Sequence, residues 1–176
     1  GKAFHSQGIS PYEFTIITPY NRDLKIINQT LQELYHSDSE FLKDDQGKKW
    51  YLGDRVMMTK NDYDINVMNG EEGRVVEFLD KAIKVSFGDA REYKFPLQIP
   101  EKSIKSNNEP QERSVECLTH SYAVTTHKGQ GSEWNYVLMY LPANPDRCST
   151  EQIKATSFIN KNLVYTSITR AKRAFF

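Results

Sequence analysis

The sequence predicts an α/β fold, a sheet flanked by helices that is interrupted by a small antiparallel β-barrel. Three observations lead to this prediction. A β-branched run at 14–19 is followed at once by helical spacing, as at the opening of an α/β unit. Four or five short strands with tight turns lie between residues 51 and 96, which is typical of a small barrel. Beyond residue 115, strands and helices alternate again.

The first strand is Phe14–Pro19, a buried type of run that ends at the break formed by Pro19, Tyr20 and Asn21. Apolar residues then recur every three or four positions, which predicts an amphipathic helix of about four turns with Asn21 as its N-cap. These residues are Leu24, Ile27, Leu31 and Leu34. Asn28 lies in a glycosylation sequon, but no secretory signal precedes it, so we interpret it as ordinary helix sequence.

The middle of the chain changes its period. Residues 38–49 are polar and charged, and we interpret them as a linker. Asn69-Gly70 is a strong turn signal within the strands that follow. The predicted strands begin with Tyr51–Thr59 and continue with Gly73–Phe78, Ala82–Phe87 and Glu92–Pro96.

The last third returns to mixed strands and helices after a polar loop at 102–114. A short strand is predicted at 115–119 and a longer one at 134–141. Helices are predicted at 120–130, ended by Gly129 and Gly131, at 150–162 after a turn at 143–148, and at 163–172. A final strand would begin at Ala174.

Composition limits the function classes. The chain has 176 residues, 38% of them hydrophobic and 26% charged, which suits one domain or one domain with an insertion. No apolar run approaches the roughly 20 residues of a membrane span, and no signal peptide is recognisable. Two cysteines indicate a reducing, cytoplasmic setting rather than a disulfide framework. The net charge of +0 means that any polyanion must be bound by a local patch or by backbone amides.

The most informative stretch is Leu118–Tyr136, LTHSYAVTTHKGQGSEWNY. It is too polar for a core element, and the apolar run Val137–Pro142 follows it directly. A polar run that leads into a buried strand lies at the rim of a sheet, where side chains and amides face a ligand. This stretch is therefore the first place to search for a binding site.

Three stretches together resemble motifs IV, V and VI of superfamily 1 helicases, in the branch typified by RecD and the phage helicase Dda. They are ITPYN at 17–21, YAVTTHKGQGSEW at 122–134 and LVYTSITRAK at 163–172. Residues 53–75 are similar to the start of the SH3-like insertion of that branch. The resemblance implies the second RecA-like motor domain, a parallel sheet flanked by helices. The expected limits are 1–48 and 102–176 for the motor domain and 49–101 for the SH3-like barrel.

The resemblance also implies ATP-driven, 5′-to-3′ translocation on single-stranded DNA, with ATP and Mg²⁺ as cofactors and a bacterial or phage source. No GxxxxGK[ST] loop and no Asp-Glu pair after an apolar strand occurs in the sequence. We therefore expect half of a motor, inactive alone. The implied partners are single-stranded DNA, an N-terminal RecA-like motor domain that supplies the Mg²⁺ ligands, and other repair or replication proteins.

Two arginines are candidates for the γ-phosphate by this resemblance. Arg170 matches the motif VI arginine on a predicted helix, where it would act as an arginine finger, or else would be a solvated helix arginine near Lys172 and Arg173. Arg22 follows motif IV and would be a second γ-phosphate contact, or else a surface arginine paired with Asp23. Tyr20 would stack on adenine, or would close the end of the strand as a core residue.

The glycine and glutamate of motif V form a second candidate group. Gly131 would allow close approach to a phosphate, and Glu133 would accept hydrogen bonds from a ribose hydroxyl. Their alternative reading is a helix C′ glycine with a surface charge. Gln130 would lie near both and relay between nucleotide and DNA.

Other residues are assigned to DNA by the same resemblance. Thr125 would contact a DNA phosphate and His127 a phosphate, sugar or base, and Thr126 and Lys128 are weaker candidates. His127 could instead be a helix histidine bonded to a backbone carbonyl. A zinc reading of His127 with Cys117 and His120 has a poor ligand pattern, so no metal site is predicted.

Tyr63 precedes the Asn69-Gly70 turn and could stack on a base, although filling the barrel core is the favoured reading. An alternative function for the whole chain is a non-enzymatic module, derived from a helicase, that binds single-stranded nucleic acid or a protein. A nuclease finds no support because the acidic residues do not cluster into a metal site.

Overall fold

The computed structural model describes residue 10 and residues 12–98, 113–141 and 161–176. The chain divides into two units, one of residues 1–35 with 122–176 and one of residues 36–121. The predicted turn at 143–148 and almost all of the predicted helix at 150–162 lie outside the described residues, as does most of the polar loop at 102–114.

The first unit contains a parallel four-stranded sheet. Its strands are β1 (Phe14–Thr18), β9 (Ala123–Thr125), β10 (Trp134–Met139) and β11 (Ala171–Phe175), in the spatial order β11-β10-β1-β9. All three strand pairs are parallel. Two helices accompany it, α1 (Asn21–Tyr35) after β1 and α2 (Lys161–Ile168) before β11. The predicted α/β class is confirmed.

The beginning of this unit folds as its periodicity predicts. β1 is central in the sheet, and Phe14, Ile17 and Thr18 are buried. α1 begins at Asn21, directly after the break at 19–20, and packs against β1 and β9. Its buried residues are Leu31 together with two polar ones, Asn28 and Gln32. The polar members of this face must therefore find hydrogen-bond partners inside the unit.

The helix predicted at 120–130 is wrong. Ala123–Thr125 forms β9, which pairs with β1 in the register Ile16–Ala123 and Thr18–Thr125. Turns follow from Thr126 to Gly131. The β-branched residues Val124 and Thr125 are suited to a strand. The backbone of β1 offers them hydrogen-bond partners, and the local sequence pattern does not contain this partner.

The last helix is shorter than predicted, because α2 ends at Ile168 and β11 begins at Ala171. Arg170 consequently lies in the turn between them, not on the helix. The Thr169 hydroxyl donates to the Thr166 carbonyl at 2.9 Å, and the Trp134 amide donates to the Arg170 carbonyl at 2.9 Å. These bonds close the helix and start the pairing of β11 with β10, so the chain leaves helical geometry before Lys172.

The second unit is built on an antiparallel five-stranded sheet in the order β7-β6-β5-β4-β8. Its strands are β4 (Arg55–Met58), β5 (Glu72–Leu79), β6 (Ala82–Phe87), β7 (Arg91–Pro96) and β8 (Leu118–His120). Short strands with tight connections were predicted here. The fully buried side chains of this core include Trp50, Val56, Val67, Ile83, Val85 and Phe95.

The linker predicted at 38–49 is partly wrong, because β2 (Phe41–Lys43) and β3 (Lys49–Tyr51) form an antiparallel hairpin. The Asp44 carboxylate accepts the amides of Gln46 and Lys48 at 3.0 and 2.9 Å. Its other oxygen accepts the indole N–H of the buried Trp50 at 3.1 Å. The polar tip therefore belongs to an ordered turn that holds Trp50 in the core.

The strand expected near 115–119 begins three residues late. Val115–Cys117 forms one short 3₁₀ turn, and β8 then pairs with β4 through Val56–His120 and Met58–Leu118. The chain segment after the polar loop thus completes the antiparallel sheet. Strand pairing alone does not define domain limits, so the limits 1–48, 49–101 and 102–176 stay a prediction.

Candidate functional site

The connection between β9 and β10, residues 126–133, runs from the carboxyl ends of the parallel strands to their amino ends; we name it the crossing segment. We call these two ends of the sheet its carboxyl edge and its amino edge. β9 and β10 run parallel on opposite sides of β1. Thr125 is level with Thr18, Tyr136 is level with Phe14, and Trp134 precedes Tyr136 by two residues. By this register, Trp134 is level with residue 12, six strand positions before Thr18. One short segment therefore contributes to both edges.

The carboxyl edge of the sheet receives the first part of the crossing segment. The Thr125 hydroxyl accepts the Lys128 amide at 3.2 Å, and the Thr126 amide donates to the Thr18 carbonyl at 3.2 Å. Thr125 is only 5% exposed, whereas His127 and Lys128 are exposed. Thr125 thus shapes this turn, and His127 and Lys128 are the side chains that the turn presents to solvent.

Tyr20 and Arg22 follow β1 and lie at this same carboxyl edge. The Arg22 guanidinium lies over the Tyr20 ring, 5.3 Å from its centroid, and its Nε is 3.4 Å from Asp23 Oδ1. Arg22 nevertheless keeps 53% of its side chain exposed. The guanidinium and ring therefore form an accessible cation–π pair rather than a core contact.

The amino edge of the sheet holds Arg170 beside the end of the crossing segment. The Arg170 Nη1 donates to the Ser132 carbonyl at 3.5 Å, and its Nε donates to the Thr166 carbonyl at 3.3 Å. Glu133 Oε2 lies 3.2 Å from Lys172 Nζ, with both side chains more than half exposed. Arg170, Lys172 and Glu133 are thus brought to one edge.

Gly131 is also in this part of the crossing segment. Its φ is +88°, a left-handed conformation that favours glycine, and a Cβ added there would have no neighbour within 4 Å. The conformation is therefore what requires glycine, and the space above the backbone is open to a ligand. At Gly129 an added Cβ would instead meet the Trp134 ring at 3.4 Å.

The predicted nucleotide residues are therefore divided between two edges. Arg170, Gly131 and Glu133 lie at the amino edge, with Gln130 in the turn that leads to it. Tyr20 and Arg22 lie at the carboxyl edge with His127 and Lys128. No sequence spacing reveals this division, because it depends on the order and register of the strands.

Tyr63 lies in the second unit and is 76% exposed, so the interpretation that it fills the core is wrong. The loop that carries it is closed by a bridge between Asp62 and Val67, and the buried Ile65 and Val67 provide the apolar filling. The Asn61 amide donates to the Tyr63 hydroxyl at 3.0 Å, which orients the ring.

Sequence reasoning gave no role to Lys172 or Ser167, although both lie in the quoted run LVYTSITRAK. Lys172 becomes the partner of Glu133 only once β11 pairs with β10. The hydroxyl of Ser167 is 3.5 Å from that of Thr126, and both residues are buried. For Lys172 the only signal in the sequence is the alternation of side-chain directions along β11. For Ser167 the sequence contains no such signal.

Metal-ligating side chains do not gather in the part of the chain that the structure describes: no group of three or more His, Cys, Asp or Glu residues there could hold an ion. Cys117 is buried with a free thiol. Neither described helix has the length and apolar character needed to cross a membrane.

Comparison with known families gives one match in each unit's region. Residues 27–87 match the family described as ATP-dependent RecD-like DNA helicase SH3 domain. Residues 120–176 match the UvrD-like helicase C-terminal domain. The two matches follow each other in the order that the sequence motifs predict.

Whole-sequence relatives agree with these matches. The RecD subunit of the RecBCD enzyme from Buchnera aphidicola subsp. Schizaphis graminum is 27% identical over 85% of this chain and 21% of its own length. The ATP-dependent RecD2 DNA helicase of Deinococcus radiodurans is 28% identical over 94% of this chain and 20% of its own length. The chain thus spans about a fifth of these curated relatives.

Solved structures support the fold. A structure on DNA unwinding at forked DNA by two coordinating Pif1 helicases matches with a TM-score of 0.59 and 20% identity, over 94% of this chain and 38% of that one. Bacteroides Pif1 in complex with ADP-AlF3 and single-stranded DNA matches with a TM-score of 0.58 and 21% identity, over 93% and 39%. The two family matches and the RecD relatives support a C-terminal region of a RecD-like superfamily 1 helicase with an SH3 domain, and the solved structures support its RecA-like fold.

Proposed function

We propose that this chain is the second motor half of an ATP-dependent DNA helicase that moves 5′-to-3′ along single-stranded DNA. One observation supports this function above the others. The crossing segment presents His127 and Lys128 at one edge of the sheet, and Gly131 and Glu133 beside Arg170 at the other. Such a segment is suited to a motor, because it joins a strand-binding edge to a nucleotide-binding edge.

On the nucleotide side, Arg170 is the proposed arginine finger. Its guanidinium offers donors in a fixed fork and stays charged as negative charge develops on the γ-phosphate. Its Nε is held by the Thr166 carbonyl, so the fork is positioned by the end of α2. Gly131 would let a phosphate or ribose approach the backbone, Glu133 would accept from a ribose hydroxyl, and Gln130 would lie between nucleotide and strand.

On the strand side, His127 and Lys128 would contact the DNA backbone, with Thr125 shaping their turn. The position of Tyr20 and Arg22 at this edge favours strand contact for them over the γ-phosphate contact that motif IV suggests. A half-buried ring with an exposed guanidinium over it is suited to a base and its phosphate. Tyr63 of the SH3 domain would provide a further stacking surface.

The remaining parts of the motor would come from elsewhere in the protein. ATP would be clamped between this domain and an N-terminal RecA-like domain that supplies the phosphate-binding loop and the Mg²⁺ ligands. We therefore expect no ATPase activity from residues 1–176 alone, a cytoplasmic location, and other repair or replication proteins as partners. The RecBCD subunit names of relatives are consistent with such partners.

The test measures ATP hydrolysis in the full-length protein, with this chain following its own N-terminal motor domain. Single-stranded DNA should stimulate hydrolysis, and Arg170→Ala should reduce the stimulated rate by about 10³-fold or more. Arg170→Lys should not restore it, because an ammonium lacks the fork. Arg173→Ala, an exposed arginine three residues on, is the matched control. Wild-type turnover in Arg170→Ala would remove the proposed role.

The second candidate function is a non-enzymatic module that binds single strands, and the exposure of Tyr63 favours it. It predicts salt-sensitive binding of an oligonucleotide by residues 1–176 alone. It also predicts that no phosphate-binding loop is encoded upstream. The full reading frame therefore distinguishes the two candidates.

A further inference from the structure

Two buried hydroxyl groups connect the crossing segment to the end of α2. Thr126 is 4% exposed and Ser167 is fully buried, and their side-chain oxygens lie 3.5 Å apart. This distance is long for an O–H···O contact, so a movement of about 0.5 Å would either strengthen the bond or break it. The contact is therefore sensitive to small shifts of either element.

The direction of the bond follows from proton counting. The Ser167 hydroxyl donates to the Leu163 carbonyl at 3.0 Å, which uses its only proton. Thr126 must therefore be the donor and Ser167 the acceptor. Valine at 126 would remove the donor with little change of shape, and alanine at 167 would remove the acceptor.

Each partner lies next to one of the two edges. Thr126 directly precedes His127 and Lys128, and its amide is tied to the Thr18 carbonyl at the carboxyl end of β1. Ser167 is in the last turn of α2, and its carbonyl accepts the Arg170 amide at 3.2 Å. One hydrogen bond thus separates the backbone beside the exposed cations from the backbone that places Arg170.

We propose that Thr126 and Ser167 are positioning residues that couple a strand bound at His127 and Lys128 to the placement of Arg170. This inference rests on the proposed motor function. A strand that pulls on the turn at 127–128 shifts Thr126, and the bond passes this shift to the last turn of α2. Both hydroxyls are buried, so the pair acts on the coupling between the two edges and not as a direct contact to nucleotide or DNA.

The experiment compares stimulated and unstimulated ATP hydrolysis in the full-length protein. Thr126→Val and Ser167→Ala should each lower the strand-stimulated kcat by about tenfold, within the usual range of coupling between sites. The unstimulated rate and the Kd for an oligonucleotide should stay within twofold. Thr126→Ser keeps the hydroxyl and should restore stimulation. The double variant should lose no more than either single variant, as expected of partners in one bond.

The possible results separate the inference from the motor function. Equal loss of stimulated and unstimulated rates, additive losses in the double variant, or no rescue by Thr126→Ser would each overturn the coupling role. Full stimulation in both single variants would overturn it as well. A wild-type protein without any strand-stimulated hydrolysis would instead overturn the motor function, and the inference with it.

Discussion

The side chain of Asn28 forms two hydrogen bonds with the backbone of Ala123, which is 95 residues away in the sequence. Its Nδ2 donates to the Ala123 carbonyl at 3.1 Å, and its Oδ1 accepts the Ala123 amide at 2.8 Å. β9 is at the edge of the described sheet, and Asn28 is 7% exposed. The amide therefore takes the place of a neighbouring strand and satisfies buried groups that would otherwise lack partners.

Replacing Asn28 with Asp should destabilise the chain by about 2–4 kcal/mol. The carboxylate has nearly the same shape but cannot donate to the Ala123 carbonyl, and it buries a charge. The free energy of unfolding at pH 7, from urea titration, measures the loss. Gln29→Ala is the control, because Gln29 is exposed on the same helix and should change stability by less than about 0.5 kcal/mol. Equal stability of the Asn28→Asp and wild-type chains would contradict this role.

A buried acid lies between two histidines in the second unit, and it makes stability depend on pH. Asp54 is fully buried, with Oδ1 3.5 Å from His36 Nε2 and Oδ2 3.4 Å from His120 Nε2. Burial lowers the pKa of both histidines below the ordinary 6.5, and Asp54 opposes this shift only in part. Below pH 6.5 the unfolded chain therefore binds more protons than the folded chain.

The free energy of unfolding should accordingly fall as the pH drops from 7 toward the lowered pKa values of His36 and His120. Above pH 6.5 the titration of these two histidines should no longer change it. Urea titrations at half-unit intervals between pH 5.5 and 7.5 measure the slope. His120→Gln removes one of the two titrating groups and should make the slope shallower. Stability that rises as the pH is lowered through this window would show the opposite sign and exclude the explanation.

Tyr63 should strengthen single-strand binding without stabilising the fold. Its ring is 76% exposed and packs on little of the chain, whereas base stacking on an aromatic ring contributes about 1–3 kcal/mol per base. Tyr63→Ala should therefore raise the Kd for an oligonucleotide by about tenfold or more and leave the urea midpoint unchanged. Tyr63→Phe keeps the ring and is the matched control. If alanine and phenylalanine bind equally well, the ring does not stack on a base.

Local pattern predicted those elements that have a clear apolar spacing of their own. β1, α1 and β6 appear where their periods place them, because apolar spacing decides which face each element buries. The pattern failed at Ala123–Thr125 and at Phe41–Lys43, where strand partners decide the structure. For β9 the partner is β1, more than a hundred residues earlier. The residue pattern of a polar segment that pairs with a distant strand is the same as that of a polar helix or a linker.

The candidate site shows the same limit. The residue types of the crossing segment indicate a ligand-facing rim, and the family resemblance predicts one site for Arg170 and Glu133. The structure brings both residues to the amino edge, and their joint role at a nucleotide stays a prediction. The position of Tyr20 and Arg22 at the opposite edge could not be predicted, since it follows from the parallel order β11-β10-β1-β9.

At Gly131 the stability cost of an unfavourable backbone conformation can be measured apart from any effect on function, because Gly47 provides a matched control. Both glycines have positive φ, +88° and +77°, and an added Cβ would have no neighbour within 4 Å at either position. Alanine at each should therefore cost a similar 1–2 kcal/mol, roughly the penalty of a left-handed conformation for a residue with a Cβ. Urea titration of the two variants should give equal losses.

Their effects on catalysis should differ. Gly131 lies beside Glu133 and Arg170, where a methyl group would occupy the open space proposed for a phosphate or ribose, whereas Gly47 is at the tip of the β2–β3 hairpin. In the full-length protein, Gly131→Ala should reduce kcat/KM for ATP by about tenfold or more, which is at least 1.4 kcal/mol of transition-state stabilisation. Gly47→Ala should leave it unchanged. Equal kcat/KM in both variants would mean that nucleotide does not approach this backbone, and Arg170 would then act on a phosphate held without the crossing segment.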